Sequence, residues 1–210
     1  MSSPVAAPSS AHEGSHKDYE GAKLGMWLFL FTEILLFGGL FILYSAYRAR
    51  YPLEFHEGGQ HLNFIIGVGN TIILLTSSLT VALSITAVRK GERKKAVLCL
   101  AATIVLGALF LLNKYIEWSG EISRGLYPNS QTLLQRPQGD QIFFGLYYSM
   151  TGLHGLHVPA GIILLSIMFV LVIRGKISGS DYNKLENSGL YWHLVDVIWI
   201  FLLPLLYLAA

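Results

Sequence analysis

Long apolar stretches alternate with shorter polar connections along this chain. A helix that crosses a bilayer needs roughly 20 apolar residues, each adding about 1.5 Å. Five stretches meet this length: 24–47, 62–88, 96–118, 142–173 and 190–208. The fourth is longer than a bilayer is thick, so we expect it to tilt or protrude. The pattern predicts an all-α integral membrane bundle of five transmembrane helices.

Composition supports a membrane location. The chain is 53% hydrophobic and only 13% charged, whereas a soluble domain has about 25% charged residues. The formal net charge of +2 gives no indication of nucleic-acid binding. Cys99 is the single cysteine, so neither a disulfide within the chain nor a thiolate metal site is expected.

Residues 1–22 are small and polar and lack the apolar core of a signal peptide. We expect them to form a flexible, solvated tail. The remaining residues, 23–210, are predicted to form one transmembrane domain.

The distribution of basic residues predicts the orientation. With five crossings, ten Lys and Arg residues fall on the side of the N-terminus, chiefly through the cluster 89–95. Five fall on the other side if Lys114 is counted there. Because basic residues concentrate on the cytoplasmic side, the N-terminus is predicted to be cytoplasmic and the C-terminus outside.

The second apolar stretch carries small and polar residues on one helical face. These residues are Gly67, Asn70, Ser77 and Ser84. Such a seam allows another helix to approach closely, and Asn70 would be costly against lipid. We therefore expect this face to pack against a neighbouring helix.

Glu33 is an acid inside the first apolar stretch, roughly 15 Å beyond Lys23 along the helix. A bare carboxylate is unfavourable there, so Glu33 is expected to be protonated or hydrogen-bonded. We expect its partner to be His157 or His154 of the fourth stretch, with Asp196 as the alternative. A structural hydrogen bond, proton transfer and contact with a lipid headgroup all remain possible roles.

His154 and His157 are three residues apart and thus share a helical face. They could serve as metal ligands, as a proton relay, or as hydrogen-bonding core residues. A metal is disfavoured because three or four ligands must converge. A haem between His157 and His193 is disfavoured because their depths differ by about 16 Å. Pro159 is expected to bend the fourth helix locally.

Polar residues also share a face of the last apolar stretch. His193 and Asp196 are three apart, and Glu186 precedes them on the same stripe. The carboxylate of Asp196 is expected to pair with the imidazole of His193. Four tryptophans are expected to act in part as interfacial anchors: Trp27, Trp118, Trp192 and Trp199.

Taken together, these stretches resemble the cytochrome c oxidase subunit 3 family, which is subunit III of the haem–copper oxidases. The resemblance rests on GMWLFLFTEILLFGGLF at 25–41, NTIILLTSSLT at 70–80, TGLHGLHVPAG at 151–161 and ENSGLYWHLVDVIWIFLLPLLYL at 186–208. These segments occur in order along nearly the whole chain.

The resemblance implies a non-redox subunit of a proton-pumping terminal oxidase in the bacterial plasma membrane. Such a subunit packs against catalytic subunit I, with subunit II in the same complex, and the haems and copper lie in those partners. It supports proton uptake and protects the catalytic centre from inactivation, in part through bound phospholipids.

The resemblance also implies roles for particular residues. Glu33 matches the intramembrane carboxylate of the family, and His154 and His157 match its histidine pair. The last-helix signature matches at Glu186, Trp192, His193 and Asp196. The residues expected to contact lipid are Arg174, Trp27 and Trp192.

Longer members have seven helices, with a lipid-filled cleft between the first two and the other five. This chain resembles the short five-helix bacterial form, so the cleft is expected to be open or closed by another subunit. Two alternatives remain. One is a subunit of the same family in a quinol oxidase or nitric oxide reductase, and the other is an independent transporter or channel.

Overall fold

A computed structural model describes residues 19–178 and 181–208, and seven α-helices account for most of this part of the chain. The helices are α1 (Tyr19–Arg50), α2 (Pro52–Gln60), α3 (Phe64–Arg89), α4 (Arg93–Ser123), α5 (Gln131–Leu134), α6 (Gln138–Ile173) and α7 (Asn183–Leu203). A π-helical turn, Pro204–Leu208, continues α7. The tail predicted for 1–22 lies outside the described residues up to residue 18.

The five predicted spans correspond to the five long apolar helices α1, α3, α4, α6 and α7. The fold class is therefore confirmed, while the orientation of the termini stays a prediction. Helix α6 runs unbroken through Pro159 for 36 residues, or about 54 Å. That length exceeds the roughly 30 Å hydrocarbon core, so α6 must tilt or project from it.

Two short helices were missed because neither is long or apolar enough to stand out. Pro52 fits the first turn of α2, where a backbone donor is not needed. Ser130 caps α5 by accepting a hydrogen bond from Leu133 N. Both helices lie where α1 and α4 end and α6 begins, and we call this the α5 end of the bundle.

Helix α7 is central and α1 is peripheral. In the most apolar segment of each helix, 56% of the α7 residues are buried but only 11% of the α1 residues. Helix α7 contacts α3 and α6, and α4 contacts α3 and α6. Helix α1 packs against α6 and α7 at the edge of the bundle. Most of α1 therefore remains free to meet lipid or another subunit.

Trp192 fills the centre of the bundle and is fully buried. Its ring lies so close to Gly107 of α4 and Gly161 of α6 that an added Cβ would come within 2.7 Å and 2.6 Å of it, respectively. The indole N–H donates to Ser77 Oγ of α3 at 3.0 Å. The prediction that Trp192 contacts lipid or anchors at the interface is wrong, because small residues on the neighbouring helices create room for the ring inside the bundle.

The seam predicted on the second apolar stretch is present in α3. Gly67, Asn70, Ser77 and Ser84 are all buried. Asn70 Oδ1 accepts a hydrogen bond from Asn113 Nδ2 of α4 at 2.9 Å. The face that would be costly against lipid thus packs against protein, as expected.

Candidate functional site

Glu33 of α1 and His157 of α6 form a hydrogen-bonded pair. Glu33 Oε2 and His157 Nε2 are 2.9 Å apart, and each side chain is 14% exposed. The hydrogen bond expected between these residues is therefore present, whereas the alternatives with His154 or Asp196 are not formed. The pair lies where the peripheral helix meets the bundle.

The hydrogen bond made by the other ring nitrogen of His157, Nδ1, determines how many hydrogens this pair carries. Nδ1 lies 2.8 Å from the backbone oxygen of Leu153. A carbonyl only accepts, so Nδ1 must carry a hydrogen. A single proton is then shared between Nε2 and Oε2, on the acid or on the imidazole. Either arrangement leaves the pair with no net charge, which suits a site inside a membrane.

Aromatic rings hold the imidazole of His157 in place. Phe37 meets it edge-on, with ring centroids 5.5 Å apart. Tyr191 of α7 lies 6.4 Å away and donates its hydroxyl hydrogen to the backbone oxygen of His157. Three helices thus position a single imidazole.

His154 points in a different direction from His157. Its ring is almost fully buried against Phe110 of α4 and Trp199 of α7. Neither ring nitrogen has a hydrogen-bond partner among the described residues. The two histidines therefore have different neighbours although they lie three residues apart: His154 contacts α4 and α7, whereas His157 bonds to Glu33 of α1.

The predicted pair between His193 and Asp196 is also wrong. His193 Nδ1 is 2.6 Å from the hydroxyl of Ser78 on α3. Ser78 also lies beside Asp196, yet neither carboxyl oxygen has a hydrogen-bonding partner within residues 19–178 and 181–208. The serine of the neighbouring helix therefore takes the place that the sequence assigned to the aspartate.

Three other predicted residues lie at the surface, Glu186, Trp27 and Arg174. Glu186 forms an ion pair with Lys23 at 3.5 Å, joining α7 to α1. Trp27 is 55% exposed on α1, and its expected contact with lipid stays a prediction. The same holds for Arg174, which is exposed where α6 ends. Trp199, in contrast, is fully buried and is not an interfacial anchor.

Sequence reasoning missed a second buried cluster, centred on Lys114 of α4. Its ammonium group donates to Glu117 Oε1 at 3.0 Å and to the hydroxyls of Tyr147 and Tyr207 at 3.2 Å. Both hydroxyls in turn donate to Glu117 Oε1. Lys114 is only 8% exposed, so counting it at the membrane surface was wrong. The spacing of Lys114 and Glu117, three residues apart in an apolar stretch, was the available signal.

In the described part of the chain, no three His, Cys, Asp or Glu side chains converge in a way that could hold a metal ion. The polar groups occur instead as an acid–imidazole pair, a hydroxyl–imidazole pair and the Lys114 cluster. The arrangement defines a polytopic helical membrane protein whose buried polar chemistry consists of hydrogen bonds and shared protons.

Comparison with known proteins identifies the family. The family model of cytochrome c oxidase subunit III matches residues 6–210. A cytochrome c oxidase subunit 3 of Synechocystis sp. is 33% identical over 202 residues, covering 96% of this chain and 81% of the relative. Its counterpart in Thermostichus vulcanus is 33% identical over 209 residues, covering 97% and 93%. The cytochrome bo(3) ubiquinol oxidase subunit 3 of Pseudomonas aeruginosa is 26% identical over 199 residues, covering 95% and 90%.

The chain belongs to the cytochrome c oxidase subunit III family. It is accordingly a multi-pass membrane subunit of an oxidase complex of the haem–copper type. The resemblance found from the sequence is confirmed.

Proposed function

We propose that this chain is the subunit III of a proton-pumping cytochrome c oxidase in a bacterial plasma membrane. It packs against catalytic subunit I, with subunit II in the same complex. The complex reduces oxygen to water, and the partner subunits hold the haems and copper. This chain supports proton uptake by the catalytic subunit and protects its catalytic centre from inactivation.

The Glu33–His157 pair is the observation that carries this proposal. It shares a proton between an acid and an imidazole at 2.9 Å without gaining net charge. It also lies at the partly exposed boundary of α1, where a neighbouring subunit, lipid or water can approach. A group of this kind can take up and return a proton, which is what support of proton uptake requires.

Bound phospholipid is the second part of the proposal. A groove of about 310 Å³ runs between α1 and α7, lined by Ile34, Phe37, Phe41, Val197 and Phe201 among others. Its walls are apolar, so an acyl chain is a suitable occupant. We propose that Trp27 and Arg174 contact lipid elsewhere on the surface, through an exposed indole and an exposed guanidinium.

The test of function is a Glu33→Ala variant of the whole complex. We expect initial oxygen consumption close to that of the native enzyme, followed by faster loss of activity during turnover. Glu57→Ala, which removes an exposed acid of α2, should leave both measurements unchanged. Immediate loss of oxygen reduction with the subunit still bound would contradict a supporting role.

A mild-detergent purification tests the composition of the complex. Haem absorbance should accompany the purified complex and should be missing from this chain expressed alone. Proton or solute flux through the chain alone, reconstituted in vesicles and lost in Glu33→Gln, would instead favour an independent transporter.

A quinol-oxidising complex is the second candidate. The observation in its favour is the similarity to the ubiquinol oxidase subunit of Pseudomonas aeruginosa. Electron donors are bound by other subunits, so the choice depends on those partners. Assaying the purified complex with reduced cytochrome c and with a quinol, together with identification of its haems and copper, separates the two.

A further inference from the structure

A second region of buried polar atoms lies toward the α5 end, away from the Glu33–His157 pair. Lys114 and Glu117 stand at its inner end, and Glu121 follows one turn later on the same face of α4. Glu121 binds the guanidinium of Arg124 at 3.2 Å, and Arg124 is 60% exposed. The region therefore extends from the buried ammonium group to a residue in contact with solvent.

Several polar atoms in this region lack partners within the described residues. Two are carboxyl oxygens that can accept, Glu117 Oε2 and Glu121 Oε2. Two others are groups that can donate, the Tyr148 hydroxyl and the Trp118 indole N–H. These same two carboxyls interact electrostatically with the Tyr148 hydroxyl. The Trp118 and Tyr148 rings are 5.3 Å apart.

His154 adds an independent observation from another helix. It is 1% exposed, neither ring nitrogen is bonded within the described residues, and it interacts electrostatically with Lys114 and His157. It lines a cleft of about 240 Å³ between α4 and α6, together with Lys114, Trp118 and Thr151. Two of the residues with unpaired polar atoms, Trp118 and His154, thus line a space that can hold a ligand.

Water is the ligand that fits these atoms. A polar group left unpaired in the hydrocarbon region costs several kcal/mol. A buried water typically makes about three hydrogen bonds and can both donate and accept. Here free acceptors and donors lie within a few residues of one another in the chain or on the facing helix. The neighbouring cleft lined by Trp118 and His154 is large enough for more than one water of roughly 30 Å³.

We infer that Glu117, Glu121, Trp118 and Tyr148 bind a short chain of waters that connects the Lys114 cluster to the aqueous phase at the α5 end. The chain enters at Glu121 beside Arg124 and reaches the free oxygen of Glu117. Further water in the cleft bonds to His154. The buried Lys114–Glu117 ion pair is therefore in hydrogen-bonded contact with solvent, from which protons can reach it.

The first test is a cryo-EM map of the purified complex, at a resolution that shows ordered waters elsewhere in the bundle. We expect density for water within hydrogen-bonding distance of Glu117 Oε2 and of the Tyr148 hydroxyl. A dry site, or an acyl chain filling the space against Lys114 and Trp118, would overturn the inference.

The second test is hydroxyl-radical labelling by brief X-ray exposure of the complex, read residue by residue by mass spectrometry. Radicals form from water, so Trp118 and Tyr148 should be labelled several-fold faster than Trp192, whose indole is bonded to Ser77. Labelling of Trp27, which is exposed on α1, measures the dose of hydroxyl radicals that reaches the protein.

A variant at the proposed entrance provides the control. Glu121→Leu removes the entry carboxylate and leaves only the solvated Arg124 without its partner, so folding should be maintained. We expect labelling of Tyr148 to fall several-fold, while Glu57→Leu on α2 leaves it unchanged. Labelling of Trp118 and Tyr148 at the rate of Trp192, or labelling insensitive to Glu121→Leu, would refute the water chain.

Discussion

The two acid–base sites of this bundle differ in how they keep charge inside a membrane. At the Glu33–His157 pair, one proton lies between the acid and the imidazole, and the sum of charges is zero whichever group holds it. In the Lys114 cluster the ammonium group is surrounded by one carboxyl and two tyrosine hydroxyls. The first site depends on a shared proton and the second on a full set of three hydrogen-bond acceptors around the ammonium group.

Their positions in the fold explain the difference. The first pair joins the peripheral helix α1 to α6, and both side chains are 14% exposed. The second joins α4, α6 and the π-helical turn, and its acid side chain is only 2% exposed. A peripheral site can exchange protons with its surroundings at little structural cost. A central site contributes to the assembly of the helices that surround it.

The largest effect should come from breaking the central cluster. Lys114→Met leaves Glu117 buried without its cation, and such a loss costs about 3–5 kcal/mol. The denaturant concentration at which this chain dissociates from the solubilised complex measures the loss of stability. The double variant Lys114→Met/Glu117→Gln should regain part of the loss, since no lone charge then remains. Lys94→Met, at an exposed site, should change this stability little. A loss as large as that of Lys114→Met would show that the buried position of Lys114 is not what makes it important.

A smaller effect is expected at the peripheral pair. A double-mutant cycle of Glu33→Ala and His157→Ala should give a coupling free energy of about 1.5–3 kcal/mol, as for other hydrogen bonds that involve charge. The same denaturant titration, applied to the native protein, both single variants and the double variant, measures this coupling free energy. Additive effects of the two variants would show that the 2.9 Å contact contributes nothing to stability.

Ser78→Ala tests a neutral polar contact for comparison with the two charged sites. It removes the hydroxyl bound to His193 Nδ1, and we expect a loss of about 0.5–1.5 kcal/mol. Ser166→Ala is the matched control, because that hydroxyl only bonds to Ile162 O of its own helix. A loss of stability for Ser78→Ala no larger than for the control would show that the Ser78–His193 contact does not stabilise the protein.

The smallest effect concerns pH at the α5 end. The guanidinium of Arg136 donates to His61 Nε2 at 3.3 Å, which requires a neutral imidazole. Burial, and next the positive charge of Arg136, lower the pKa of His61 below its usual 6.5. The unfolded state therefore binds the proton more readily, so stability falls as pH drops below about 6.5.

Hydrogen exchange in α2 of the intact complex at pH 7.5 and 5.5 measures this change. After correction for the slower intrinsic exchange of amides at low pH, the protection factors of α2 should be smaller at pH 5.5 than at pH 7.5 in the native protein. They should depend less on pH in His61→Gln. The same loss of protection in that variant would assign the effect to another group.

The sequence predicted that Glu33 would bond to His157 or His154, with Asp196 as the alternative, for a physical reason. An acid in an apolar helix needs a polar partner, and few such residues exist in the other spans. It did not predict which neighbours His154, His193 and Asp196 would have. Those depend on how each helix is rotated about its own axis, and a helix that is apolar on nearly all sides has no polar stripe to mark its buried face.

Length and apolarity alone thus determined the five spans and the membrane class, since a bilayer sets the number of apolar residues a helix must have. Only the tertiary structure decided that Lys114 lies inside the bundle and that Trp192 fills its centre. Both outcomes depend on contacts between residues far apart in the chain: Tyr147 and Tyr207 surround the ammonium group, and Gly107 and Gly161 leave space for the indole. Helix packing, which no single stretch of sequence encodes, brought these partners together.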